Sequence, residues 1–198
     1  MDFRPVFLVI GILLSTLAVM MVVPAVFDLY NDHPDWEVFL VSGGVTLFVG
    51  VATALTCRTG GGRMMARQAF VMTTLSWIAL VFFASLPLKF SELGLSFTDA
   101  IFEAMSGLTT TGSTVIIRLD EAPSGVLIWR ALLQWLGGIG IIVMAIAVLP
   151  MLRVGGMQLF RMESSDQTEK ALPRAAQIAT VIGAIYIVLT GIWAFAYW

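Results

Sequence analysis

The chain has 198 residues, of which 59% are hydrophobic and only 12% charged, with a mean hydropathy of +0.93. A soluble domain is nearer half apolar and a quarter charged, so the surplus apolar surface belongs in a lipid bilayer. A formal net charge of -2 without a long basic run offers nucleic acid no partner, and the single cysteine, Cys57, excludes an internal disulfide.

Arg4 precedes an apolar run as in a signal peptide. Yet Pro5–Phe27 is longer than a signal core and lacks a small-residue cleavage site, so it reads as a retained first span. At helical rise it covers about 35 Å, enough to cross the hydrocarbon core, and Pro24 is placed to kink its far end. Asp28–Glu37 (DLYNDHPDWE) reads as a short loop with acids and no Lys or Arg. Its His33, without a metal or catalytic companion, reads as a surface residue, and Cys57 as a small filler at a helix end. Val38–Cys57 is the second span, where Gly43, Gly44 and Gly50, with Ser42, Thr46 and Thr53, let helices approach closely in lipid. Arg58–Arg67 (RTGGGRMMAR) is basic without an acid, Gln68–Leu88 is a third span closing at Pro87, and Lys89–Ser96 is a polar connector.

Phe97–Ile117 (FTDAIFEAMSGLTTTGSTVII) is the segment the other elements serve. It reads as a short amphipathic helix, capped by Ser96 or Thr98 with Asp99 in its first turn, stopping at Ser106-Gly107. The extended run Leu108–Thr114 follows. Such a loop is too short and polar to span, and irregular backbone at membrane depth is tolerated only where protein buries it or where it lines a water-filled path. A loop of Thr and Gly then offers carbonyls and hydroxyls to a cation. Arg118–Gly125 is a polar turn. Val126–Leu152 is a fourth span, broken near its middle by Gly137, Gly138 and Gly140 and near its end by Pro150. Arg153–Arg174 is a basic connector, within which Gln158–Lys170 reads as solvated, and Ala175–Trp198 begins a fifth span.

The basic loops Arg58–Arg67 and Arg153–Arg174 lie on one side, and the positive-inside rule puts them and the N-terminus in the cytoplasm. The Thr-Gly loop then enters from the outer side and returns to it. Trp36, Trp129, Trp193 and Trp198, near predicted span ends, read as interfacial aromatics. The expected fold is all-α and integral to the membrane: two leading transmembrane helices (1–67), a helix–pore-loop–helix unit (68–153), and a connector with the first helix of an incomplete second unit (154–198). One such unit cannot enclose a pore, since filters of this kind need about four loops around an axis, so either four chains assemble or the full protein continues with further units, the second being favoured.

The runs DAIFEAMSGLTTTGSTVI and WRALLQWLGGIGIIVMAIAVLPMLRVGGMQLFRMESS resemble the Trk-type bacterial potassium-uptake proteins of the Trk/Ktr/HKT superfamily, and the likeness extends over nearly the whole chain. The resemblance implies a potassium-channel-like fold, with four non-identical pore-loop units around one path in a longer chain. It also implies a homodimer in the bacterial inner membrane and a cytoplasmic nucleotide-binding regulatory ring. Potassium is the implied ion, with no organic cofactor. Carried onto this sequence, the backbone carbonyls of Thr110, Thr111, Gly112 and Ser113 would replace water around potassium, with Thr110 and Thr111 among its ligands. Glycine at 112 has a physical reason, because carbonyls in succession face an axis only if the backbone alternates through positive φ. The resemblance marks Gly at 112 as the potassium-selective version and Ser as the sodium-permeable one. Ser113 and Thr114 depart from potassium channels, which have an aromatic and a second Gly there, and imply a shorter, looser filter.

Glu103 reads equally as a pore-mouth acid or as a packing partner of Arg118 or Arg130. Asp99 reads as a helix cap first and a cation concentrator second. Gly137, Gly138 and Gly140 do not follow a strand, so they are no dinucleotide fingerprint; they read as close packing before an inner-helix hinge. Two other functions compete with ion transport. An intramembrane enzyme using Ser106 or Glu103 lacks a His base, a nucleophile elbow or a metal cluster within the spans. A non-conducting assembly or scaffold piece fits these residues taken alone.

Overall fold

The computed structural model describes residues 3–58, 66–148 and 168–197. It is all-helical there: α1 (Arg4–Met20), α2 (Val22–Tyr30), α3 (Asp35–Thr56), α4 (Ala66–Phe90), α5 (Phe97–Leu108), a 3₁₀ turn (Leu119–Glu121), α6 (Ser124–Val148) and α7 (Thr168–Tyr197). The segments Arg4–Tyr30, Asp35–Thr56, Arg67–Phe90 and Thr180–Tyr197 are each long and apolar enough to cross a membrane. The 25 residues of α6 give it a comparable length, about 37 Å. The 12 residues of α5 reach about 18 Å and cannot cross.

Two units make up the chain, Met1–Gly138 and Ile139–Trp198. In the first, the leading helix breaks at Met21, where Pro24 has no N–H to give the Met20 carbonyl. Val6, Ile10, Leu14, Leu17 and Met21 form one buried stripe, while Phe7, Ile12 and Val19 face outward. In an all-apolar helix both faces look alike in sequence, so packing alone distinguishes them. The stripe meets α3 at backbone distance. A Cβ on Gly11 would lie 2.7 Å from the Gly50 carbonyl oxygen, and one on Gly50 would lie 2.9 Å from the Gly11 carbonyl oxygen. Such reciprocal glycine contact is how helices gain van der Waals attraction in lipid, where hydrophobicity gives none. Gly43 also packs, against Ala18 and Met21, but Gly44 has open space around it and is no contact residue.

Trp129 is fully buried rather than interfacial. Its indole Nε1–H donates to the Ala84 carbonyl at 3.0 Å, and its ring meets Phe39 edge-on, with centroids 6.2 Å apart. It joins α6 to α4 and α3, because a buried indole is stable only with an acceptor in reach. Trp36 is half-buried and Trp193 exposed.

Several boundaries differ from expectation. Helix α4 passes through Pro87 to Phe90, and the Ser91 N–H donates to the Pro87 carbonyl; proline removes one donor without ending a helix held by its neighbours. Helix α6 runs unbroken through Gly137, Gly138 and Gly140, since glycine lowers helix propensity by only about 1 kcal/mol. Helix α7, in the second unit, starts at Thr168, ahead of the apolar stretch that hydropathy detects. The acidic loop shrinks to residues 31–34, because α2 and α3 extend over Asp28 and Asp35. Pro150, the expected end of the fourth span, and most of both basic loops (59–65 and 149–167) lie outside the described residues.

Candidate functional site: the Thr-Gly loop and its supports

Helix α5 begins as its sequence predicts. The Ser96 hydroxyl accepts the Asp99 N–H at 3.1 Å and donates to the Asp99 carboxylate at 2.6 Å, a reciprocal cap that fixes where the helix starts. Asp99 is thus a capping residue. The helix ends through its own carbonyls. The N–H of Thr110 donates to Gly107 at 2.9 Å, and that of Thr111 to Ser106 at 3.0 Å; the N–H of Gly112 reaches Ser106 at 3.4 Å.

Beyond this point the chain turns back along its own helix. The Ser106 hydroxyl donates to the Ser113 carbonyl at 2.6 Å. One turn earlier in α5, Glu103 Oε1 accepts the Thr114 hydroxyl at 2.6 Å and the Val115 N–H at 2.5 Å. Asp99, Glu103 and Ser106 are spaced four and three apart and so share one helix face. Glu103 and Ser106 on that face hold the returning chain, whereas Asp99 bonds Ser96 at the start of the helix.

Within the loop, Thr110 has φ 59° and Gly112 has φ 76°, so left-handed residues alternate with ordinary ones. The N–H groups of 110, 111 and 112 are drawn to the helix end. Among the described residues nothing donates to the carbonyls of Thr110, Thr111 or Gly112. All three residues are exposed, as is Ser113, whose carbonyl keeps one lone pair after its bond to Ser106. The Thr109 and Thr111 hydroxyls meet at 2.8 Å. Threonine in the left-handed region is strained and persists only where its surroundings hold it.

Glu103 is completely buried and its second oxygen accepts Arg130 Nε–H at 2.9 Å. The carboxylate therefore bonds the returning chain with one oxygen and α6 with the other. Arg118 instead pairs with Glu121 at 3.3 Å in the open, a contact of small value. The α5–α6 seam is tight as well. Gly107 lies against Leu133, and Gly137 lies against the Leu108 carbonyl with no space for a Cβ. Gly140 has open space around it. Gln134 was not legible as a site residue; its Nε2 lies 3.5 Å from where a Cβ on Gly112 would stand.

The leading hairpin also reaches this unit. Asp28 and Asp35, expected in a short acidic loop, are buried, and each carboxylate accepts a backbone N–H from the loop-bearing segment. Asp28 Oδ1 accepts the Gly125 N–H at 2.6 Å, and Asp35 accepts the Glu92 N–H at 3.1 and 3.3 Å. His33 is half-buried between them rather than on the open surface. Its Nδ1 accepts the Asp35 N–H at 3.3 Å, and its Nε2 lies 3.7 Å from a Glu92 oxygen. Among the described residues no group of His, Cys, Asp and Glu is arranged to hold a metal ion.

The TrkH family model, described as cation transport protein, matches residues 36–198. The chain is 41% identical over 194 residues to the Trk system potassium uptake protein TrkI of Halomonas elongata, covering 98% of this chain and 39% of that protein. It is 38% identical to the Trk system potassium uptake protein TrkH of Escherichia coli K12, covering 100% of this chain and 42% of the relative. Among solved structures, the potassium transporter TrkH from Vibrio parahaemolyticus superposes with a TM-score of 0.85 at 37% identity, covering all of this chain and 40% of that one. The chain spans about two fifths of the length of these relatives, and it belongs to the TrkH family of multi-pass membrane cation transport proteins.

Proposed function

We propose that residues Thr110–Ser113 form one quadrant of a potassium-selective filter, within a longer protein that takes up potassium across the bacterial inner membrane. One observation carries the reading. The N–H groups of 110–112 are occupied by the end of α5, whereas the carbonyls of Thr110, Thr111 and Gly112 have no donor among the described residues. A dehydrated cation satisfies such carbonyls, and the negative end of α5 favours its charge. The Ser113 carbonyl contributes its remaining lone pair. Glu103 and Asp99 support the loop rather than bind the ion. Gly137 serves packing, which leaves the hinge role in α6 to Gly138 and Gly140. The N-terminus is cytoplasmic, on the side of the arginine-bearing loops. A second copy of the protein and a cytoplasmic nucleotide-binding ring are the partners the family resemblance suggests. Relatives named as potassium uptake proteins support the choice of ion.

One quadrant does not enclose a path, so residues 1–198 by themselves act as an assembly piece of the transporter. The test is rubidium and sodium uptake by a potassium-uptake-deficient bacterium carrying the full-length protein, with and without Gly112→Ser. We expect rubidium uptake to fall or sodium entry to rise at equal membrane abundance. Unchanged fluxes in a protein that does transport overturn the reading.

A further inference from the structure

We infer that the turn between α2 and α3 is a clamp that sets the geometry of the Thr109–Val115 loop, with Asp28 and Asp35 as positioning residues. The inference rests on the filter reading above. Each carboxylate reaches out of the leading hairpin and takes one backbone N–H from a different strut of the loop-bearing unit. Asp28 takes Gly125, in the first turn of α6, and Asp35 takes Glu92, just past the end of α4. Both N–H groups lie at helix ends, where the helix supplies no acceptor for the first and the connector none for the second.

The fit at Gly125 leaves no slack, since Asp28 Oδ2 occupies the space a Cβ would need. That oxygen is buried and has no hydrogen-bond partner among the described residues. Its charge is left to the positive end of α6, which makes the carboxylate sensitive to where that end lies. Burying an acid costs stability unless hydrogen bonds offset the lost hydration, and here only one of the two Asp28 oxygens accepts one among the described residues.

From each anchor a short, stiff path leads to the loop. Arg130 stands about 7.5 Å along α6 from Gly125 and bonds Glu103, which holds Thr114 and Val115. On the other side, Glu92 opens the connector to Ser96, the cap of α5. Lys89 Nζ stiffens that connector by donating to the Leu95 carbonyl at 2.8 Å. His33 lies beside the same connector, with its Nε2 3.7 Å from an oxygen of Glu92 just past the end of α4. The two ends of the segment that carries the loop are therefore spaced by one turn of four residues, 31–34.

The experiment uses the full-length protein in a potassium-uptake-deficient bacterium, with rubidium KM, maximal rate per molecule in the membrane, and the rubidium-to-sodium ratio as readouts. Asp28→Ala is expected to raise the rubidium KM at least about fivefold, the lower end of coupling between sites, and to lower the ratio. Asp28→Asn, which keeps an oxygen for Gly125, is expected to recover most of both. A role confined to folding would reduce abundance and leave KM and the ratio alone. Asp28→Glu serves where the alanine variant does not accumulate, because it keeps the charge but lengthens the arm, and it is expected to shift KM the same way. KM and ratio at wild-type values in these variants, with Gly112→Ser shifting them, overturn the clamp and leave the filter reading standing. Wild-type values in Gly112→Ser as well, in a protein that transports, overturn both.

Discussion

Glu103→Gln is the substitution that most directly probes how the loop is held. Glutamine keeps the shape and one acceptor oxygen for the Val115 N–H and the Thr114 hydroxyl, but it withdraws the charge facing Arg130 Nε at 2.9 Å. The acid is fully buried and the Arg130 side chain is only 11% exposed, so water does little to screen the loss. A hydrogen bond to a charged group contributes about 1.5–3 kcal/mol, and removing one partner of a buried pair costs about 3–5 kcal/mol. Because glutamine retains the neutral contacts, we expect a loss of about 2–3 kcal/mol. Arg130→Met should cost more, about 3–5 kcal/mol, by stranding the buried carboxylate. The double variant should cost less than the sum, because neither charge is then left alone. The assay is unfolding of the full-length protein in mixed micelles titrated with a denaturing detergent, run on both single variants and the double. Additivity within about 0.5 kcal/mol would show that the two side chains do not share a bond, and the account of Glu103 as the support of the returning chain would fail.

Gly137→Ala drives a methyl group into the Leu108 carbonyl, so the filter-bearing end of α5 must separate from α6. Rubidium uptake per molecule should collapse and the melting temperature should fall by several degrees, about 1–3 kcal/mol of overpacking. Gly50→Ala places its Cβ 2.8 Å from Ser15 N and should part α1 from α3, read as lower membrane abundance and melting temperature. Gly44→Ala, in open space on the same helix, should be neutral or stabilise by up to about 1 kcal/mol. Equal effects of Gly44→Ala and Gly50→Ala would refute close approach as the role of Gly50.

The spans, the cap at Ser96 and Asp99, and the non-helical run after Gly107 were legible because each follows from local chemistry: apolar length, a hydroxyl before a helix, and Thr-Gly backbone preference. The Arg130 partner of Glu103 was legible as one of two choices, since a buried acid needs a cation and few stood near. What escaped depends on contacts far apart in the chain. Asp28 and Asp35 read only as members of a short acidic loop, because the donors they accept from are backbone N–H groups, which nearly every residue carries and no sequence marks. Trp129 looked interfacial because indoles collect at membrane surfaces, and only the nearby Ala84 carbonyl explains its burial. Gly11, unremarked in an apolar run, is half of the close α1–α3 crossing, which becomes visible only once Gly50 lies opposite.

The Gly11–Gly50 crossing also fixes an order of events during synthesis. Both residues belong to the first 56 positions, so the α1–α3 hairpin can close as soon as those have left the ribosome. The α6 start that Asp28 will receive emerges later, by roughly 3–14 s at ordinary elongation speeds of about 5–20 residues per second. Until Glu92 emerges the hairpin presents both carboxylates at the membrane surface with nothing yet bound, and from then until the α6 start emerges Asp28 alone waits for its partner. It acts as a preformed jig onto which the segment from α4 to the start of α6 is laid as it arrives, so a defect in the hairpin is inherited by the loop that segment carries.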